Sequence, residues 1–296
     1  MGKSFSFSLP EGFSFRHAVY GHGWCDLAPF ALDTNSWTLS FVFRDGDKPV
    51  HAAMSERNGK LRVAADAEIM NRHALVRDVR HILRMDDDLS SFYGALAGEP
   101  RLAWVSRIGA GRLLRSPTVW EDLVKTICTT NCSWGLTKKM ISNLVENLGE
   151  PAGEGKFAFP TPEAMASVSP DFYRTEIRAG YRSPYFAELA EAVASGQLDP
   201  EAWLHSDLPT AELKKEMKKV KGVGDYAAEN LLKLVGRYDG LALDSWLRSQ
   251  FFKKYNKEKV CPDKKIERHY KKFGAWKGLA IWCDMTERWF AEANEN

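Results

Sequence analysis

Two glycines one residue apart, Gly222 and Gly224, stand between two stretches of helical apolar spacing, about residues 211–220 and 225–236. No other feature limits so narrowly what the chain can become. Glycine reaches positive φ without strain and carries no Cβ, so Lys221-Gly222-Val223-Gly224 can turn sharply and let another backbone come close. The pattern predicts two short helices joined as a hairpin. Such a turn can set the amides of a helix N-terminus against a phosphate, or it can be an ordinary helical hairpin. Spacing alone leaves both open.

The surroundings of the turn are basic. Residues 213–272 hold 17 Lys and Arg against 8 Asp and Glu, a balance of +9, although the 296-residue chain carries only +2. A basic stretch suits a polyanion through counterion release, and equally a solvated helix face. A chain with 44% hydrophobic residues and 12% aromatics is neither disordered nor fibrous, and its length allows one or two domains. No apolar run approaches the roughly 18 residues of a membrane span. The opening MGKSFSFSLPEG lacks the apolar core of a secretory signal, so a cytoplasmic, nucleoid-associated placement in a bacterium is the expectation. Five scattered cysteines, Cys25, Cys128, Cys132, Cys261 and Cys283, read as reduced thiols. Cys128 and Cys132 could share a helix face, but no His or second Cys pair stands at zinc-finger spacing.

Residues 36–65 alternate in β fashion and are broken by Asp45-Gly46-Asp47 and Asn58-Gly59, two hairpin signals. With Ser4 to Leu9 they predict a small antiparallel sheet. Helical spacing begins near residue 66 and runs through Ile69–Leu83 and Trp120–Leu148, with Ser116-Pro117-Thr118 opening a helix at 119–131. Pro160-Thr161-Pro162 and Ser169-Pro170 separate shorter helices. The expected class is α+β: a β-rich domain over 1–105, a helical domain over 106–205 and a hairpin domain over 206–296. The glycine-rich run Tyr20-Gly21-His22-Gly23-Trp24-Cys25 lacks phosphate-binding spacing. It reads either as a pocket wall or as a turn packed on the sheet.

Beyond the second hairpin helix, Leu241-Ala242-Leu243 leads to Asp244, and Leu247, Phe251 and Tyr255 then follow at helical spacing. Asp244 can cap that helix and still present a carboxylate. Gly222-Val223-Gly224 with Asp244 twenty residues on resembles the helix-hairpin-helix DNA glycosylase superfamily, whose signature is a hairpin followed by a catalytic aspartate. Residues 113–134, LLRSPTVWEDLVKTICTTNCSW, look like a helix of the 8-oxoguanine DNA glycosylase branch that ends in a cysteine, two small hydroxyl residues and an asparagine, here Cys128-Thr129-Thr130-Asn131. Residues 179–185, AGYRSPY, resemble the same branch's Gly-Tyr-Arg motif. The resemblance covers about residues 110–290.

It implies a two-lobed, all-helical core behind the β domain, and an enzyme that everts a base from double-stranded DNA. Asp244 would be the catalytic carboxylate. Asn131 would fill the space left by the everted base, Tyr181 would wedge into the stack and Arg182 would contact the unpaired partner base. Without the family context, Asn131 reads as a helix C-cap and Tyr181 as a half-buried aromatic. Gly222, Val223, Gly224, Lys221 and Arg248 are the candidate phosphate contacts. Bifunctional members carry a lysine two residues after the second glycine, where this chain has Tyr226, so the implied enzyme is monofunctional, uses water and leaves an abasic site. Lys221 is the nearest substitute, within a run of basic residues.

The implied base pocket comprises Tyr226, Asn230, Trp246, Ile281, Trp282 and Met285. Asn230, Ile281 and Met285 replace the residues that surround the base in the 8-oxoguanine branch, so that readout is not inherited. Trp246, Trp276 and Trp282 could stack on a cationic alkylated purine, or belong to the core. The expected substrate is an oxidised or alkylated purine. A modified pyrimidine, a non-catalytic hairpin module and a structural helical protein are the alternatives. Only Cys261 and Cys283 follow the hairpin, too few for a four-thiolate iron–sulfur cluster. Relatives often hold a monovalent cation on hairpin carbonyls, here those of Lys218, Val220 and Val223. The expected partner is double-stranded DNA, the expected state a monomer off the membrane.

Overall fold

The computed structural model describes residues 3–295, and Met1, Gly2 and Asn296 lie outside the described residues. Five strands, β1 (Ser4–Ser8), β2 (Ala31–Asp33), β3 (Thr38–Asp45), β4 (Lys48–Arg57) and β5 (Lys60–Ala65), form one antiparallel sheet in the order β1-β5-β4-β3-β2. Both predicted hairpins are present. Asp45 pairs with Lys48 and Arg57 with Lys60, so each loop is two residues long. Asn58 and Gly59 both have positive φ, at 52° and 70°, the requirement of a type I′ turn. Alternation turns Leu39, Phe41, Phe43, Ala52, Met54, Leu61 and Val63 into the core.

Helices make up most of the remainder. The stretch of helical spacing over Trp120–Leu148 is two helices, Val119–Thr129, close to the expected 119–131, and Trp134–Leu148, capped by Thr118 and Ser133. Asn131 separates them with a φ of 49°, a left-handed conformation that asparagine tolerates better than most residues. The hairpin consists of Thr210–Met217 and Asp225–Leu234, shorter than the apolar spacing predicted.

Two apolar clusters organise the interior. One joins the sheet to helices between Val119 and Leu234, and the other joins residues 89–113 to residues 238–290. Each takes its members from distant parts of the chain. The helix Ser245–Tyr255 and the long helix Lys277–Glu295 belong to the second cluster and meet the hairpin at its edge. Among the described residues no helix is long and apolar enough to cross a membrane.

Candidate active site

The hairpin turn closes on a hydrogen bond from Val223 N to Val220 O at 3.0 Å. Gly222 has a φ of 89°, and a Cβ there would come within 3.2 Å of Tyr185 and 3.4 Å of Ile127. Its glycine is required by the fold. Gly224 differs, because its φ is −87° and a Cβ would meet nothing within 4 Å. It is the N-cap of the Asp225–Leu234 helix and has no side chain to occupy that helix's first amides. Those amides stay available to an anion.

Asp244 is the N-cap of the Ser245–Tyr255 helix, and its Oδ1 accepts from Leu247 N at 2.7 Å. Capping engages one oxygen and leaves Oδ2 free of that bond. The residue lies where two concavities join. A cavity of about 720 Å³ on one side and a groove of about 850 Å³ on the other share Thr129, Cys132, Tyr226, Asp244 and Ser245 as lining. The cavity is large enough for a nucleoside. The groove runs past Lys218, Lys219, Lys221 and the hairpin to Tyr181, Asn131 and Arg248.

Tyr181 and Asn131 meet on the groove. The Tyr181 hydroxyl lies 3.3 Å from Thr130 Oγ1 and accepts from Asn131 Nδ2 at 3.4 Å, with the tyrosine half exposed. Arg182 does not join them in the groove, contrary to the base-contacting role that the resemblance implies. It is 3% exposed, donates from Nε to Ile127 O at 3.1 Å and lies with its guanidinium 4.4 Å from the Tyr181 ring centroid. Gly180, with a φ of 59°, begins the tight turn Gly180–Arg182 that presents the tyrosine and tucks the arginine behind it. Arg182 braces the Tyr181 ring from below. Lys221 pairs with Glu188, and Arg248 makes a two-pronged pair with Asp263 at 2.8 Å per bond.

Of the six predicted pocket residues, Tyr226, Asn230, Trp246 and Trp282 line the cavity. Ile281 and Met285 instead pack in the second apolar cluster. The reason is helical geometry: Ile281 is turned about 100° from Trp282 into the lobe's interior. Trp276 is outside the cavity, partly buried against the second cluster, stacked on Tyr238 at 5.3 Å and packed on Phe92. Trp289, seven residues beyond Trp282 on the same helix, lines the cavity together with Trp24 and Trp134.

The glycine-rich run at Tyr20–Cys25 proves to be a wall of the cavity. Gly21 O accepts the Trp282 indole N–H at 2.7 Å, tying the N-terminal segment to the last helix. A Cβ on Gly21 would come impossibly close to the Arg112 carbonyl, so this contact admits only glycine. His22 packs 4.1 Å from Trp24 and 5.4 Å from Trp282, ring centre to ring centre. Burial, with the charges of Lys233, Lys125 and Arg84, pushes its imidazole down to about 3, so it is neutral at physiological pH. Behind it, burial raises the Asp122 carboxyl to about 6 even though Trp24 Nε1 donates to it at 2.6 Å.

Lys233 is the feature of the cavity that sequence reasoning missed. It is 2% exposed, donates to Leu241 O at 2.9 Å and lies 5.8 Å from the Trp282 ring centroid. Burial lowers its ammonium to about 8, opposed by the carboxylates of Glu229 and Asp244. A signal was there to find: Tyr226, Asn230 and Lys233 stand at i, i+4 and i+7, one face of one helix. Nearby, burial and the Asp244 charge push the Tyr226 phenol up to about 12.

An N-terminal antiparallel sheet, two helical lobes and a hairpin leading to a helix-capping aspartate make up a fold that the chain shares with solved 8-oxoguanine and 3-methyladenine DNA glycosylases. No protein-family model matches the chain. It is 24% identical over 169 residues to a DNA-3-methyladenine glycosylase of Bacillus subtilis, a match covering 56% of this chain and 55% of that one. The 8-oxoguanine glycosylase/lyase of Clostridium acetobutylicum superposes with a TM-score of 0.74 at 21% identity, covering 96% of both chains. The 3-methyladenine DNA glycosylase of Archaeoglobus fulgidus gives 0.74 at 18% identity, over 97% of this chain and 99% of that one. The chain spans between half and three fifths of the length of the curated relatives it matches.

Proposed function

We propose that this protein is a monofunctional DNA glycosylase that everts an oxidised or alkylated purine from duplex DNA and hydrolyses its N-glycosidic bond. The observation that carries the reading is the place of Asp244, at the joint between a nucleoside-sized cavity and a basic groove. In this reading the groove takes the duplex. The open amides beside Gly224 and the ammonium of Lys221 face phosphates, while Tyr181 and Asn131 hold the gap left by the everted nucleotide. Arg248 adds positive charge at the same edge.

With the base in the cavity, the sugar lies at its mouth beside Asp244. Loss of the base leaves positive charge on the sugar, which the carboxylate offsets. Asp244 accepts a proton from water as the water oxygen bonds to C1′ and the glycosidic electrons leave with the base. The phenol of Tyr226 stands where bifunctional relatives carry lysine, and it forms no Schiff base. The product is an abasic site. The carbonyls of Lys218, Val220 and Val223 are hard oxygen donors at the end of a helix, a set that suits a monovalent cation, and such an ion would add positive charge at the phosphate-facing turn. We further propose that the protein acts as a monomer in the bacterial cytoplasm.

The test is a panel of duplexes, each with one lesion, assayed for abasic-site formation and for covalent trapping with borohydride. Release of a modified purine without trapping is expected. A trapped adduct would refute the water mechanism, and release from none of the duplexes would refute the glycosylase reading.

A further inference from the structure

Lys233 and His22 are buried, polar and aimed into one cavity, and neither has a part in the hydrolysis described above. Lys233 has three N–H bonds and gives one to Leu241 O. His22 accepts or donates through the Asn230 side chain, while its Nδ1 is buried with no partner among the described residues.

We propose that Lys233 is a specificity-determining residue that selects an uncharged purine bearing a ring carbonyl and turns away purines made cationic by alkylation. The proposal rests on the glycosylase reading and deepens it. Three observations converge on it. First, depth orders the helix face: Tyr226 lines both the cavity and the groove, whereas Asn230 and Lys233 line the cavity alone. Lys233 therefore meets the base and Asp244 the sugar.

Second, the aromatic wall is already supplied with a cation. Trp246, Trp282 and Trp289 stand 5.5 to 6.3 Å apart, an arrangement that would attract a cationic base if it were vacant. Lys233 Nζ is 5.8 Å from the Trp282 ring, so a second positive charge would enter against the first.

Third, two carboxylates that stand outside the cavity lining are committed elsewhere. Glu229 accepts from Lys214 at 2.6 Å and from Ala242 N at 2.6 Å, and Asp122 accepts from Trp24 and Ser116. Among the lining residues Lys233 is the one ammonium, beside Asp244, which caps its helix, and Asp26, which accepts from Trp134 Nε1 at 3.2 Å. A carbonyl oxygen accepts from the ammonium.

Hypoxanthine and 7-methylguanine both carry a ring carbonyl and differ in charge. Duplexes with the uncleavable 2′-fluoro nucleosides of each base report pocket preference apart from chemistry. The wild-type protein is expected to bind the hypoxanthine duplex at least about tenfold more tightly. Lys233→Met and the milder Lys233→Gln are expected to bring that ratio near one, with circular dichroism showing the fold retained. A loss of folding would lower both affinities together and leave the ratio as it was. Preference of the wild type for the cationic base overturns the proposal, as does an unchanged ratio in a folded variant. If neither variant folds, the wild-type ratio decides. Release from cationic purines or from pyrimidines only, on unmodified duplexes, removes this assignment and leaves the glycosylase reading standing. Release from no lesion removes both.

Discussion

Asp244 Oδ1 accepts the Leu247 amide at 2.7 Å, so the carboxylate placed at the cavity mouth also starts the helix behind it. Asparagine caps as well as aspartate but carries no charge. Asp244→Asn should therefore leave thermal stability within about 1 kcal/mol of wild type and lower base release at least about a thousandfold, with duplex affinity kept. Single-turnover abasic-site formation, duplex binding and a melt on the same sample check all three. Release at a wild-type rate would show that the charge is not used.

The two hairpin glycines separate by the same logic. Gly222→Ala puts a Cβ at positive φ against Tyr185 and Ile127, and should cost about 1–3 kcal/mol of stability. Gly224→Ala meets open space, so its melt should be unchanged while duplex affinity falls about tenfold as the methyl group blocks the approach of a phosphate. A Gly224→Ala protein with full affinity would mean that no backbone comes close there.

Acid should destabilise the protein through its buried imidazoles. His22 and His81 are both pushed from 6.5 to about 3, chiefly by burial, so the unfolded chain binds protons that the folded chain refuses. Their contribution is complete above pH 6.5 and is lost as pH falls toward 3, at about 1.4 kcal/mol per unit for each. Asp122 works in the opposite sense. Its carboxyl is raised from 3.8 to about 6, so its protonation favours the folded chain as pH falls from 6 to 3.8. Between 6.5 and 6 the imidazoles act alone. Melts at pH 8, 7, 6 and 5 should show a falling limb that is shallower in His81→Gln and steeper below pH 6 in Asp122→Asn. Parallel limbs in all three proteins would place the acid sensitivity elsewhere.

A buried ion pair gives the fourth expectation. Lys125 Nζ and Glu121 Oε1 are 2.6 Å apart, with both side chains almost wholly inside and the ammonium 4.8 Å from the Phe30 ring centroid. Lys125→Met should lose about 3–5 kcal/mol by leaving Glu121 unpaired, and Lys125→Met with Glu121→Gln should recover most of it. Denaturant titration of both proteins measures the difference. No recovery would show that packing around the lysine stem, not charge, holds this helix.

The local signals in the sequence were read at close to their true positions. Asn58-Gly59, Ser116-Pro117-Thr118 and the hairpin glycines each fix backbone geometry within a few residues, and each lies where a turn or cap was predicted. The pocket was harder, because its walls meet only in three dimensions. Trp282 touches Gly21 across 261 positions, and no period in either segment encodes that contact. Trp276 and Trp282 look alike in sequence, yet one stacks on Tyr238 outside the cavity and the other lines it. Arg182 was placed one side chain too far out, because the turn at Gly180 decides which of two neighbours emerges. The break at Asn131 falls where a helix over 119–131 was expected to end.

The second apolar cluster takes residues 89–113 from between two stretches, Phe13–Met85 and Leu114–Leu234, that build the first one. The polypeptide thus leaves one half of the molecule, finishes the other, and returns to complete what it began. A shortened chain starting at residue 114 would lose Leu89, Phe92 and Val105 from the interior that carries Asp244, and with them the floor beneath its helix. During synthesis that interior must wait for the last helix to emerge, so the end of the protein that carries Asp244 is the last part able to close.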